Sequence, residues 1–406
     1  MERRILTAAR AALVAVVAAG CSYDRPPLLD GDAAAGDAAV DAPPAAIDAS
    51  GTCVIDRDCA SGICQAGTCA ALDQVSYVAP AGVDANPCTV TAPCATIDRA
   101  LAVQAASGRR LALVVVEAGA YTQSVALTAN AALVVGRAGD NGPPVITPQD
   151  RDAVTISGAT LTLRRVAIAG GGNGNGDGVR CSNGTVTLEE LAIDDMGDDG
   201  VDVRDCDATL TRVALRGAGA FGVRALRRAL VIRSSVLLAN ANGGLRTSPV
   251  DTLTVTGTVF ARNGRPTVGG VGGSAVGGAE LLANGAVLFD SNTVADNDAA
   301  SDGTRAIVCA TNGSYALPNN LLTNARNFTT TCPLTHAMSS ALAMPSGTNR
   351  PIATPAYAAP AAGDYHLTAG SQARGASTAP PAMAAPDLDG EPRPRGGLDV
   401  GADEID

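Results

Sequence analysis

Between Leu161 and Leu322 aliphatic side chains return in sets spaced i, i+2, i+5 and i+7. The first set is Leu161, Leu163, Val166 and Ile168, and the next are Val186, Leu188, Leu191, Ile193 and Ala208, Leu210, Val213, Leu215. Leu230, Ile232, Ser235, Leu237 and Leu253, Val255, Thr258, Phe260 continue the series. The last two, Val287, Phe289, Asn292, Val294 and Tyr315, Leu317, Asn320, Leu322, are the least apolar. Measured at the second position, the intervals are 25, 22, 22, 23, 34 and 28 residues. Alternation with period two, one skipped place, and alternation again read as two short strands meeting at a corner, a spacing no helix produces.

A period in the low twenties, with Gly and Asn between sets, predicts a solenoid. One coil cannot bury its inward face alone, whereas coils stacked at about 4.8 Å line up their side chains in a continuous core. Gly178-Val179, Gly200-Val201, Gly222-Val223 and Gly244-Leu245 precede the sets and supply a third strand per coil. Three walls predict an all-β, right-handed parallel β-helix. Thr96 as N-cap, with Ile97, Ala100, Leu101 and Ala105 on one face, predicts a helix that covers the open end of the first coil.

The coil pattern resembles right-handed parallel β-helix repeat proteins, the superfamily of pectate lyases, polygalacturonases, phage tailspikes and many bacterial surface proteins. Tyr77 to Pro87 and Pro93 to Leu101 are similar to its opening segment, and Asp364 to Leu367, Asp387 to Arg393 and Asp399 to Glu404 to its C-terminal ending. Ser371 to Gly375 departs from the family's usual Ser-Pro-Ala-Ile-Asp stretch. The resemblance implies a β-helix over 75–345 and a closing segment over 346–406.

Composition narrows the partners. Of 406 residues 46% are hydrophobic and only 2% aromatic, which suits a long thin core of Val, Leu, Ile and Ala. A formal charge of −11 argues against nucleic acid or an anionic surface as main partner. All 29 basic residues are Arg, a mark of a GC-rich genome more than of function.

Arg3, Arg4 and Arg10 precede the apolar run Ala11 to Ala19, too short to span a bilayer and right for a signal-peptide core. Ala18-Ala19-Gly20-Cys21 resembles a bacterial lipobox. That resemblance implies that residues 1–21 are a lipoprotein signal, that Cys21 carries lipid on its sulfur and amine, and that Ser22 after it directs the chain to the outer membrane. Residues 22–50, rich in Ala, Asp and Pro, are expected to form a disordered tether holding the folded part off the membrane.

Ten further cysteines, an even number in an exported chain, predict disulfides. Cys53, Cys59, Cys64 and Cys69 define a small module over 51–71 that needs staples in place of a core, with three connectivities open. It resembles Cys-rich modules of the dickkopf N-terminal kind. Locality pairs Cys88 with Cys94, Cys181 with Cys206, and Cys309 with Cys332, the middle pair being expected in one turn of successive coils.

Candidate chemistry gathers in two columns. Asp177 and Asp199 each lie eleven residues before a repeat leucine, which puts the carboxylates about 5 Å apart on stacked coils, a retaining-glycosidase separation or a raised-pKa dyad. The same residues sit in Gly-rich turns where Asp bonds backbone. Arg180, Asp202 and Arg224 form the next column, expected as an ionic ladder, with Arg180 or Arg224 as a lyase base in the alternative. Asp194, Asp195, Asp198, Asp199 and Asp202 are dense enough in oxygen to invite Ca²⁺, the one cofactor the sequence proposes.

Against a familiar hydrolase, Gly-His-Gly and Arg-Ile-Lys signatures are missing, and His336 and His366 lie outside the main repeat. Asn240, Asn263 and Asn297 follow three sets at one offset, which predicts a stacked amide ladder. The Gly-rich stretch Gly269 to Gly278 falls where the period stretches to 34 and is expected to project as a partner-binding loop. Two functions follow: a lipid-anchored, non-enzymatic envelope protein presenting its walls to a glycan or protein, or a polysaccharide lyase.

Overall fold

The structure, a computed structural model, describes residues 51–140, 142–149, 152–170, 175–264, 276–298, 305–309, 314–323, 332–340, 347–377, 386–393 and 397–405. The signal segment with Cys21, the tether, and most of the Gly269 to Gly278 stretch lie outside these residues. Among the described residues no helix is long and apolar enough to cross a membrane.

The described chain winds into a parallel β-helix, the hand of which follows from right-twisted strands joined by right-handed crossovers. A 20-stranded sheet carries the first and second walls, and an 8-stranded sheet is the third. Strand register matches the repeat. Leu163, Leu188, Leu210, Ile232, Val255 and Phe289 stack on the first wall. Ile168, Ile193, Leu215, Leu237, Phe260, Val294 and Leu322 stack on the second. Val154, Val179, Val201, Val223, Leu245, Ala279 and Ile307 stack on the third. All of these residues are buried.

The skipped place in the repeat is a backbone corner. Arg165, Glu190, Arg212, Ser234, Ser291 and Asn319 all sit there with φ between 47° and 57°, a left-handed conformation that turns the strand sharply. Such residues are strained by about 1–2 kcal/mol each, so stacking must offset the corner in these coils, whereas Gly257 takes the same place in its coil at φ 57° without that strain.

Position i+5 points inward from that corner. In the later sets it holds Asn292 and Asn320, and these weak repeat positions are a polar ladder: Asn292 Nδ2 donates to Asn320 Oδ1 at 3.2 Å, and Thr258 N donates to Asn292 Oδ1 at 3.0 Å. The expected ladder stands one corner on, with Asn240 Nδ2 donating to Asn263 Oδ1 at 2.9 Å and Asn263 Nδ2 to Asn297 Oδ1 at 3.0 Å. Each amide also accepts from backbone, so the polar groups of this ladder are satisfied.

The single α-helix among the described residues, Ile97–Ala106, is capped by Thr96, whose Oγ1 accepts from Arg99 N at 3.2 Å. It buries Ile97, Ala100, Leu101 and Gln104. Ala105, expected on that face, is exposed. The i+7 place belongs to Gln104, which earns burial by donating to Ser76 Oγ at 2.9 Å and to Gln74 O at 3.1 Å.

Among the described residues there are five disulfides. Cys53 bonds Cys64 and Cys59 bonds Cys69, while Cys88–Cys94, Cys181–Cys206 and Cys309–Cys332 complete the set. Cys181 and Cys206 do not share a turn as expected. Cys181 lies on the third-wall strand Val179–Ser182, and Cys206 follows the strand Val201–Arg204, so the bond runs from a wall to the next coil's corner with Cα atoms 6.1 Å apart.

Two segments cover outward faces. Ile63 of the Cys-rich module packs with Tyr77, Leu113, Val115, Leu133 and Val135 on the outside of the first wall. Asp56 ties the module there, accepting from Cys64 N at 2.7 Å and pairing with Arg165 at 2.6 Å. At the other end, Tyr365, Leu388 and Ala402 cover Val236, Leu238, Val259, Ala261 and Ala295 outside the second wall. Tyr365 donates to Asp296 Oδ2 at 2.7 Å, and Arg393 pairs with Glu404 at 3.2 Å with both side chains buried.

Candidate functional site

Among the described residues no segment lies over the third wall, and its outward positions include Arg180, Arg204, Arg224, Arg246 and Glu280, because adjacent positions of a strand face opposite ways. Register sets Arg180 beside Asp202, Asp202 beside Arg224, Arg224 beside Arg246, and Arg246 beside Glu280. The predicted column is therefore present, but its ion pairs are not the predicted ones. Asp202 pairs with Arg204 of its own strand at 2.7 Å, Arg180 reaches back to Asp152 at 3.1 Å and Asp177 at 2.7 Å, and Arg224 approaches Asp199 at 3.8 Å. Asp202 is itself buried and is held by Arg204, so Arg180 and Arg224 lean along and across the strands to the other buried carboxylates, Asp177 and Asp199.

Those corner carboxylates form a ladder. Asp177 N donates to Asp152 Oδ1 at 2.9 Å, Asp199 N to Asp177 Oδ1 at 3.0 Å, and Phe221 N to Asp199 Oδ1 at 2.9 Å. Asp152 was not anticipated, although Asp152-Ala153-Val154, Asp177-Gly178-Val179 and Asp199-Gly200-Val201 repeat one Asp-x-Val signal. Gly200 is required because a Cβ would meet the Gly222 carbonyl oxygen at 2.7 Å.

The three rungs are not equivalent. Three residues after Asp177 stands Arg180, which neutralises it; three residues after Asp199 stands another acid, Asp202. Asp199 Oδ2 is consequently buried with no hydrogen bond among the described residues. Burial pushes the Asp199 carboxyl up to about 7, with the negative charges of Asp198, Asp177 and Asp202 adding to it and the Phe221 amide opposing. Asp177 is pushed up to about 6 by burial, against the pull of the Asp199 amide and Arg180. Arg246 rests on the Phe221 ring, 5.4 Å from its centroid.

The five acids of the calcium reading do not converge. Asp194 lies against Arg216 at 3.7 Å, Asp195 forms a left-handed corner with φ of 55°, and Asp202 is taken by Arg204. Asp177, Asp198 and Asp199 do bring carboxylate oxygens within 4.8 Å of one another. That set does not fit Ca²⁺, which takes six to eight oxygens. Asp177 already spends both oxygens, one on an amide and one on a guanidinium 2.7 Å away.

No family model matches this chain, and no curated protein matches it. Among solved structures, the crystal structure of pectate lyase Pel9A is similar at 14% sequence identity with a TM-score of 0.46, covering 82% of this chain and 96% of that one. Nothing about the site follows from a likeness at that level.

Proposed function

We propose that this chain is a lipid-anchored cell-envelope protein of the outer membrane, whose solenoid presents its walls to a glycan or another surface protein without catalysing a reaction. One observation carries the second half of that reading: both acids of the would-be catalytic pair are 0% exposed, and each spends an oxygen on the next coil's backbone. A carboxylate held under the surface as a coil-to-coil tie cannot reach a sugar ring. The anchor rests on Ala18-Ala19-Gly20-Cys21 and the tether that follows. Cys21→Ser should release the protein from the membrane fraction and abolish fatty-acid labelling; labelling that persists puts the anchor elsewhere.

A second reading, a polysaccharide lyase or glycoside hydrolase, is favoured by the buried Asp199 Oδ2, which lacks a hydrogen bond among the described residues and lies 3.8 Å from Arg224. A carboxyl that titrates near neutrality is suited to general acid–base work. Under this reading Asp199→Ala lowers turnover by orders of magnitude while the protein stays folded; unchanged turnover moves the site away from the third wall.

A further inference from the structure

His366 belongs to neither reading, and its surroundings are built with care. The strand Asp364–Leu367 carries it outside the second wall, where Asp364 Oδ1 lies 2.6 Å from Nδ1. That contact fixes the ring so that Nδ1–H points at a carboxylate and Nε2 faces the other way. Nε2 meets Asp389 Oδ1 at 3.0 Å, and an oxygen of Asp403 lies within 4.8 Å of both. The three side chains come from three separate stretches of the closing segment.

A fourth carboxylate stands behind them. Asp387 is 0% exposed, gives its Oδ1 to the amides of Asp389 at 3.1 Å and Glu391 at 2.7 Å, and feels the charges of Asp389 and Asp403. Its Oδ2 is buried with no hydrogen bond among the described residues. Nearby cations among the described residues are few: Arg393 pairs with Glu404 at 3.2 Å while its charge also acts on Asp387 and Asp403, and Arg216 lies 3.7 Å from Asp194. Of the four carboxylates around the imidazole Asp387 and Asp403 are buried, while Asp364 and Asp389 are part-exposed, so the negative charge is partly desolvated and a cation bound there would offset that cost.

We propose that His366, Asp389 and Asp403 bind one divalent transition-metal ion of the Zn²⁺ class, with Asp364 orienting the imidazole and Asp387 adding its charge from behind. One nitrogen and two carboxylate oxygens suit Zn²⁺ better than Ca²⁺ or Mg²⁺, which take oxygen alone. Ligands about 2.0–2.2 Å from a tetrahedral ion lie roughly 3.3 Å apart, close to the separation of Nε2 and Asp389 Oδ1. Carboxylate on Nδ1 with metal on Nε2 is the usual outer-shell arrangement of a metal-binding histidine. The ion would join strand, turn and C-terminus into one clasp over the second wall.

The purified, oxidised chain, stripped with chelator, is titrated with Zn²⁺ in a calorimeter, and its thermal midpoint is followed with and without the ion. One ion per chain and a raised midpoint are expected. His366→Gln and Asp389→Asn should each abolish the binding, and Asp364→Asn should weaken it by about 10–100-fold. Asp389 lies on a half-exposed turn, so its variant remains informative where the histidine variant folds poorly. Absence of stoichiometric binding to the wild-type chain, or binding unchanged in both ligand variants, overturns the site; the first result leaves a plain hydrogen-bonded clasp.

Discussion

The second and third walls are made from the same alternating strands and share one core, yet among the described residues one is roofed and the other is bare. In Val236–Leu238 and Val259–Ala261 every residue is buried, because the outward positions are apolar and the closing segment lies on them. In Val179–Ser182 and Val201–Arg204 the inward positions are equally buried, but the outward ones are Arg180, Asp202 and Arg204. Inward residues set the fold, and outward residues decide whether a wall becomes more core or becomes a surface for partners.

The sharpest break of that contrast is Leu238→Ala set against Arg224→Ala. Leu238 is buried beneath Gly363, so truncation should cost about 2–5 kcal/mol. Arg224, with its nearest carboxylate 3.8 Å away, should change stability by no more than about 0.5 kcal/mol. Chemical denaturation of the two variants checks this, and equal losses would show that the third wall is load-sharing in the same way as the second.

Next in size is the interior ladder. Asn263→Ala removes an amide that links Asn240 to Asn297, leaving the Asn240 donors without their acceptor on one side and Asn297 Oδ1 and Leu237 O without their donor on the other, for a cost of about 1–3 kcal/mol. A variant as stable as the parent would mean that the ladder is ornament.

Smaller still, and dependent on pH, is the third-wall carboxyl. In the fold Asp199 keeps its proton up to about pH 7, whereas in the unfolded chain it loses it near its ordinary 3.8. The folded state thus binds more protons between those values, so this contribution is complete below about pH 4, falls as pH rises, and is gone above about pH 7. Asp177 acts in the same direction, up to about pH 6. Asp199→Asn keeps the oxygen that accepts from Phe221 and has nothing to ionise. Its thermal midpoint should exceed the parent's at pH 8 and match it near pH 4; the opposite order would mean that the carboxylate is well compensated where it lies.

Much of this architecture was legible in the sequence, because period-two alternation with a fixed skip has one structural solution and the inward stacks follow from it. Legibility failed where side chains face outward. Val236-Leu237-Leu238 is an unbroken apolar run, the signature of a strand buried on both faces, but the repeat accounts only for Leu237. Asn292 and Asn320 read as decay of the pattern, since polar side chains inside a coil make sense only once their stacked partners are known. The Asp177 and Asp199 column could be aligned by counting, yet which oxygen was spent, and that Arg180 hydrogen-bonds Asp177 while Arg224 stays 3.8 Å from Asp199, depends on side-chain directions that spacing does not encode.

The central claim, that the bare wall binds without chemistry, is tested most directly by incubating the purified chain with a panel of acidic polysaccharides, with and without Ca²⁺, and measuring both retention on the polymer and new chain ends. The account predicts that no polymer is cleaved under either condition. Release of unsaturated or reducing ends by the wild-type chain, lost in Asp199→Ala, would contradict it.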